Sequence, residues 1–418
     1  MVIRIYIGLL LILMLVVIPY IIMMSNNLLQ TGLTGNKSFK TGLEESFQPN
    51  YGTGNSTVDN INGKIRNQDK SSCVKKVLIW WKTDLARKNY GYGGTEGLIT
   101  CPNFDCSVDI SYAENVSKLV DSTIVIFHAS YHTDLVDYRL FQSKRYPDQI
   151  WIWQTWESPT RVLEYVDKPP GWFKFNLTMS FSSKTDIRVP YGSYVPYERP
   201  KHLHSRPNAS EINWSHGKTD LIAWVAKNCR ATTWARFKFV KHLQTRLPID
   251  IYGQCGNLSC PGWNVPCEAL NKYKFILALE NSECRDYITE KFWWWPFLYN
   301  LNLVPIVYGA SKEDYQKVAP PNSFIHISDF DTLDQFVKYI NLLDNNKGLY
   351  NKYFEWKQMG HVVKGNNYFS PSRICAIVQV QPPKHHNIHN EWWKHTCTQR
   401  RQNWHPFINT SSNANQEY

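Results

Sequence analysis

Hydrophobic positions along the chain repeat with two different periods, one that suits strands and one that suits helices. From Val77 onward, "VLIWW", "STIVIFHAS" and "QIWIWQTW" are short apolar runs rich in β-branched and aromatic residues. Runs of this length and content predict strands buried on both faces. A polar, proline-bearing stretch, "ERPKHLHSRPN", closes this first series. A second series opens at "DLIAWVAK" and continues through "IDIYG", "FILAL", "LVPIVYG" and "FIHIS". Between these strands, Phe237, Val240 and Leu243 recur at helical spacing, and "DTLDQFVKYINLL" carries the same period. Strands alternating with helices predict parallel, doubly wound sheets, and two such series predict two α/β domains facing a cleft. The expected extents are 73–205 and 206–372, with a C-terminal tail over 373–418.

The N-terminal pattern differs. Ile5 to Met24, "IYIGLLLILMLVVIPYIIMM", carries no charge. About twenty helical residues span the roughly 30 Å of a bilayer core, and Gly8 and Pro19 are tolerated in such a span. No small-residue cleavage site follows, so the expectation is an uncleaved signal anchor behind a cytoplasmic tail over 1–4. Residues 25–72 are rich in Asn, Gly, Ser and Thr without apolar periodicity, and read as a flexible lumenal stem. Sequons at Asn36, Asn55, Asn115, Asn176, Asn208, Asn213, Asn257 and Asn409 fit a secretory route as candidate glycosylation sites. Ten cysteines, an even count, fit disulfides in an oxidising compartment, with Cys375 and Cys397 as candidates to staple the tail to the body.

Composition sets further bounds. The chain of 418 residues is 43% hydrophobic and 14% aromatic, which is globular rather than disordered. Its net charge of +11 suits an anionic partner. Lys and Arg are scattered and no nucleic-acid motif occurs, so the charge points weakly to phosphate and not to nucleic acid.

One stretch concentrates polar chemistry. "ENSECRDYITEKFWWW" follows directly on "FILAL", which puts it at the carboxyl edge of a sheet, where open α/β folds bind ligands. Asp286 or Thr289 could cap a helix there, and backbone N–H groups with Lys291 would then meet an anion. Glu290 and Asn281 supply groups that bind sugar hydroxyls. The residues alone leave a capped surface helix and a nucleotide-sugar pocket as equal readings. For Trp293 to Trp295 the default is core packing.

Longer motifs carry a resemblance. "KYKFILALENSECRDYITEKFWWWPFLYNLNLVPIVYGA" resembles the donor-binding signature of the α1,3-fucosyltransferases, glycosyltransferase family 10. "KTDLIAWVAKNC" followed by "ARFKFVKHL" and "IDIYGQCG" resembles the start of that family's donor domain. "WIWQTWESPTRV", "FNLTMSFSSKTDIRVPYG" and "CPNFDCSV" resemble its acceptor domain, so Lys76 to Cys397 is covered.

The resemblance implies a GT-B architecture of two Rossmann-like domains, with L-fucose transferred from GDP-fucose to a glycan with inversion. Glu157 in "WESP" matches the family's catalytic base, a role that suits a carboxylate at the end of a strand facing the cleft. Arg236 and Lys291 match its diphosphate contacts. Asn281, Tyr287, Glu290 and Tyr252 join the donor-binding set, and His128 and Glu157 form the acceptor side. No cofactor is required on this reading, and metal stimulation is compatible with it. A Golgi type II membrane enzyme is implied.

The sequence also departs from the family. "FHASYHTD" keeps His128 but lacks the second His of Lewis-type members, and "SFSSKTDI" has Ser182, Ser183 and Lys184 in place of a Tyr-Arg pair. Both changes bear on the acceptor, so fucosylation of the innermost N-acetylglucosamine of N-glycans stands beside transfer to an outer lactosamine. A membrane-anchored glycan-binding protein without turnover is the reading from another class. Pro296 should kink or shorten the helix that contains it. Asp329 and Asp331 in "SDFD", Gly217 to Thr219, and the His-rich "KHHNIHNEWWKH" imitate metal or phosphate motifs without their full spacing.

Overall fold

A computed structural model describes residues 73–80, 96–101, 104–113, 116–129, 138–165, 172, 174–198, 212–261, 265–365, 369–379, 396–398 and 405–407. The expected membrane span at 5–24 and stem at 25–72 lie outside the described residues, as do the sequons at Asn36, Asn55, Asn115, Asn208 and Asn409. Among the described residues, no helix is long and apolar enough to cross a membrane.

The first apolar series builds a seven-stranded sheet from β1 (Val74–Trp80), β2 (Gly97–Thr100), β3 (Ser107–Ala113), β4 (Ile124–His128), β5 (Ile150–Gln154), β6 (Leu177–Ser180) and β7 (Ile187–Arg188). Its order is β2-β3-β1-β4-β5-β6-β7, parallel except for β2 against β3. The central strand β4 is buried along its whole length. That is why "IVIFH" runs continuously apolar instead of alternating.

After β8 (Gly192–Pro196) the chain enters the second series: β9 (Asp220–Val225), β10 (Ile249–Tyr252), β11 (Tyr273–Leu279), β12 (Val304–Tyr308) and β13 (Ile325–His326). These form a five-stranded, all-parallel sheet in the order β10-β9-β11-β12-β13. From β9 the chain steps outward to β10, then crosses back to β11 on the other side. The crevice beyond the carboxyl ends of β9 and β11 is therefore the topological switch point. The helix Arg236–Gln244 follows β9 and buries Phe239, Val240 and Leu243 against this sheet, while Phe237 packs partly buried against the same core. The helix Leu333–Asn345 is capped by Thr332, whose hydroxyl accepts from the Gln335 N–H.

The two sheets are joined, not merely adjacent. One apolar cluster combines Phe181 and Tyr191 of the first series with Ala278, Tyr287, Phe292, Trp293, Trp294 and Val307 of the second. A further strand, β14 (Gly360–Lys364), pairs antiparallel with β8 across the same junction. The tryptophan run supplies much of this packing. Trp293 lies against Gly192, Trp294 lies under the Lys364 ammonium at 4.8 Å, and Trp295 enters a separate cluster with Tyr252 and Leu303. Core packing is thus the role of all three. Pro296 leaves its mark as well: after one α-turn at Glu290–Trp293, the backbone continues as a π-helix over Trp294–Leu298.

Every described cysteine is paired: Cys73–Cys106, Cys101–Cys375, Cys229–Cys255, Cys260–Cys267 and Cys284–Cys397. Cys375 sits on the helix Pro371–Ile377, which returns to the core of the first sheet beside Phe369. Cys397 bonds to the loop after β11. Both tail cysteines therefore fasten to the body.

A Cβ at Gly192 would meet Trp293 at 2.4 Å. Gly192→Ala should cost about 1–3 kcal/mol of stability by overpacking. The loss should shrink once Trp293 is first replaced by Leu. Denaturant midpoints of the four proteins of this cycle check it, and additive losses would show that the contact does not matter.

Candidate active site

The segment from Glu280 to Lys291 leaves the carboxyl end of β11 and returns to start a helix. Its shape is set by Glu280, whose carboxylate is fully buried. One oxygen accepts from the Thr289 N–H at 2.7 Å, both accept from the Thr289 hydroxyl at 2.9 and 2.8 Å, and Lys291 lies 3.3 Å away. Lys291 also donates to Thr289 Oγ1 and to Glu290, each at 2.8 Å. Burial disfavours the lysine's charge, but the carboxylates of Glu280 and Glu290 outweigh it and hold the ammonium above its ordinary pKa. Burial raises the Glu280 carboxyl. At Glu290 burial acts the same way, yet Lys291 overcomes it and the net shift is downward.

Arg236 spans the switch point. Its guanidinium donates to the Leu279 carbonyl at the end of β11 (2.8 Å) and to the Asn228 carbonyl after β9 (2.6 Å). Nε is buried and has no hydrogen-bond partner among the described residues. Burial pulls its pKa down to about 10, so it stays charged at neutral pH, and Glu280 partly offsets that shift. Arg161, buried on the helix Pro159–Tyr165 of the first sheet, adds a like charge nearby.

Glu157 follows β5 and reaches this assembly from the other sheet. Its Oε2 accepts from the Tyr287 hydroxyl at 2.9 Å and from the Asn281 amide at 3.4 Å. Beside it, Ser158 and Thr160 hydrogen-bond Ser282 at 2.7 and 3.1 Å, and Ser282 donates to Asn281 at 2.9 Å. The structure therefore brings Glu157, Asn281 and Tyr287 into one hydrogen-bonded group, and gathers Arg236, Glu290 and Lys291 around Glu280.

Two candidates sit elsewhere. Tyr252 is buried in apolar packing with its hydroxyl on that of Tyr273, the first residue of β11, at 3.0 Å. It faces away from the residues that follow β11. His128 is 1% exposed, because its ring bonds Gln154 and lies 4.0 Å from that of Trp156. It packs against Trp156.

The capping expectation also changes. The Thr289 N–H is already taken by Glu280, and Asp286 reaches to Ser183 of the first sheet. Thr289 does occupy the N-cap position, but its side chain makes no capping hydrogen bond. Asp329 pairs with Lys312, and no cluster of metal-binding side chains occurs among the described residues. Of the described sequons, Asn213 and Asn257 are exposed, whereas Asn176 accepts from Arg145 and from the Trp151 N–H.

Glu280, Ser282 and Arg161 escaped sequence reasoning. The signal for Glu280 was available: an acidic residue directly after the buried apolar run "FILAL" needs a buried partner, and Lys291 is a cation close enough in sequence to supply it.

These features define a class: a two-sheet α/β protein whose switch point gathers cations, carboxylates and hydroxyl-binding groups from both sheets. Residues 73–192 match the model of the fucosyltransferase N-terminal domain, and residues 215–394 match that of the glycosyltransferase family 10 (fucosyltransferase) C-terminal domain. The chain belongs to glycosyltransferase family 10. It is 38% identical over 236 residues to glycoprotein 3-alpha-L-fucosyltransferase A of Drosophila melanogaster, covering 54% of this chain and 44% of that protein. It is 34% identical to a gorilla (Gorilla gorilla gorilla) 4-galactosyl-N-acetylglucosaminide 3-alpha-L-fucosyltransferase over 61% of this chain and 63% of the relative. A human (Homo sapiens) 3-galactosyl-N-acetylglucosaminide 4-alpha-L-fucosyltransferase is 36% identical over 53% and 57%. The chain thus matches about half the length of these relatives. A crystal structure of an alpha1,3-fucosyltransferase aligns over 74% of this chain and 90% of its own at 20% identity, with a TM-score of 0.48.

Removing the Lys291 cation takes from the buried Glu280 carboxylate the one cation in direct contact with it among the described residues. Lys291→Ala should cost about 3–5 kcal/mol at neutral pH. The Glu280 carboxyl, already raised by burial, then rises further. A carboxyl whose folded pKa exceeds its unfolded value loses stability as pH rises through that interval. The variant should therefore regain stability as pH falls from neutral toward the unfolded value of about 4.3. Denaturation midpoints across that range test this, and a deficit that does not vary with pH would refute it.

Proposed function

We propose that the protein is an inverting fucosyltransferase that moves L-fucose from GDP-β-L-fucose to N-acetylglucosamine of glycoprotein or glycolipid glycans in α1,3 linkage. The observation that carries the reading is Glu157 of the first sheet meeting Tyr287 and Asn281 of the second. A carboxylate held by two donors at the junction is oriented for general-base work. In the reaction, Glu157 takes the proton of the acceptor hydroxyl while that oxygen bonds to the fucose anomeric carbon. The bond to the β-phosphate breaks on the opposite face, and its electron pair leaves with GDP. Arg236 and Lys291 stabilise the charge that builds on the diphosphate, so the step does not require a metal. Glu290, beside Lys291, suits a ribose hydroxyl or the oxocarbenium-like transition state.

Relatives named as 3-alpha- and 4-alpha-L-fucosyltransferases support fucosyl transfer and leave the linkage as the finer part of the proposal. Transfer to the innermost N-acetylglucosamine of N-glycans is the second reading, favoured by the departure after β4, where the second His of Lewis-type members is missing. A glycan-binding protein without turnover fits less well, because Glu157, Arg236 and Lys291 are all present. The apolar run at 5–24, the sequons and the fully paired described cysteines support a Golgi type II membrane protein with a lumenal catalytic region.

The test is incubation with GDP-fucose and a panel of type 1 lactosamine, type 2 lactosamine and N-glycan core acceptors, with linkage read by NMR. Glu157→Gln should lower turnover by about 10²-fold or more and spare GDP binding, whereas Lys291→Ala should weaken GDP binding. Lack of transfer to every acceptor would refute the proposal.

A further inference from the structure

Asp286 has φ 61°, a left-handed backbone that costs a residue other than glycine about 1–2 kcal/mol. Such strain persists where surrounding contacts over-determine it. Here the Asp286 carboxylate reaches the first sheet. Its Oδ2 accepts from the Ser183 N–H at 2.9 Å, the Ser183 hydroxyl at 2.7 Å and the Ser182 hydroxyl at 3.5 Å. Its own N–H donates to Asp314 at 3.3 Å. The residue before these serines, Phe181, lies 5.0 Å from the ring of Tyr287. Three consecutive residues after β6 therefore hold two consecutive residues of the donor-side loop. The second of those, Tyr287, bonds the Glu157 carboxylate.

We propose that Ser183 and Asp286 form a latch that positions the Tyr287 hydroxyl against Glu157, making Asp286 a positioning residue for the base. The inference rests on Glu157 acting as proposed above. The latch depends on short side chains: the two serines let the carboxylate approach the backbone of residue 183, which a pair of long side chains would bar. The strained turn at 286 then fixes the direction in which residue 287 leaves it. The same segment that follows β6 thus sets both the ring and the hydroxyl of Tyr287.

Asp286→Asn and Asp286→Gly separate this role from turn formation, since Asn and Gly both accept a left-handed backbone. If the latch positions the base, either variant and Ser183→Ala should lower kcat about tenfold, with KM for GDP-fucose within about twofold of the parent. The 19F resonance of 3-fluorotyrosine at position 287 should move in all three. Tyr287→Phe should lower kcat similarly, and adding Asp286→Asn to it should produce little further loss. Unchanged kcat with an unmoved fluorine resonance would overturn the latch. If the parent protein transfers no fucose, the proposed function fails, while the resonance still decides whether residue 286 positions residue 287.

Discussion

Burying the Glu280 carboxylate is the constraint on which the rest of the site depends. An ionised group without solvent is costly unless its lone pairs are filled and its charge is matched. Thr289 fills the lone pairs through its N–H and its hydroxyl, and Lys291 matches the charge. These contacts tie the end of β11 to the start of the next helix, and so close the intervening loop at its base. Asn281, Ser282, Cys284, Asp286 and Tyr287 all project from that loop toward the first sheet or the returning tail. Gly309 belongs to the same constraint. At φ 136° it follows β12, and a Cβ there would lie 2.6 Å from the Glu280 Cβ. The glycine that ends "LVPIVYG" is thus explained by the carboxylate that begins "ENSEC".

The two sheets hold this loop from opposite sides. An apolar cluster with members from both series fills the junction, so the sheets share a core instead of facing each other across open solvent. Ring packing of Phe292 and Trp293 in that cluster continues directly from the ionic contacts of Glu290 and Lys291. Sequence proximity therefore couples electrostatics to packing. The Cys284–Cys397 bond adds a covalent brace that closes 113 residues of chain onto the loop, and a constraint of that length limits the unfolded ensemble more than the folded one.

Much of this was legible in the sequence. Continuous apolar runs such as "IVIFH" and "KFILAL" identified the buried parallel strands, because burial on both faces removes the alternation of a half-exposed strand. The helix over Arg236–Gln244 followed from its spacing, and the placement of Glu157 and Lys291 followed from motifs. Strands β2, β3, β6, β7, β8 and β14 were not anticipated: β2, β3, β8 and β14 carry mixed burial, and β6 and β7 are only four and two residues long. The pairing of β8 with β14 joins residues far apart in the chain, which no local period can report. The surroundings of Tyr252 and His128 were not legible for a related reason. A motif fixes where a residue lies along the chain, but the direction of its ring is set by neighbours, Tyr273 in one case and Gln154 with Trp156 in the other.

Charge balance shapes how the site can act. Within the cluster, Arg236 and Lys291 are offset by Glu280 and Glu290, so the net +11 of the chain is not concentrated there. Attraction for a diphosphate would come from where the donors point and not from a surplus of charge. Arg236 is fixed by two backbone carbonyls at the ends of neighbouring segments, so it cannot swing toward a ligand without breaking both bonds. Lys291 shares its three protons among Thr289, Glu290 and Glu280, and could exchange one of them for a phosphate oxygen. A fixed cation beside an exchangeable one is the arrangement that preorganised electrostatic stabilisation of a leaving diphosphate would call for.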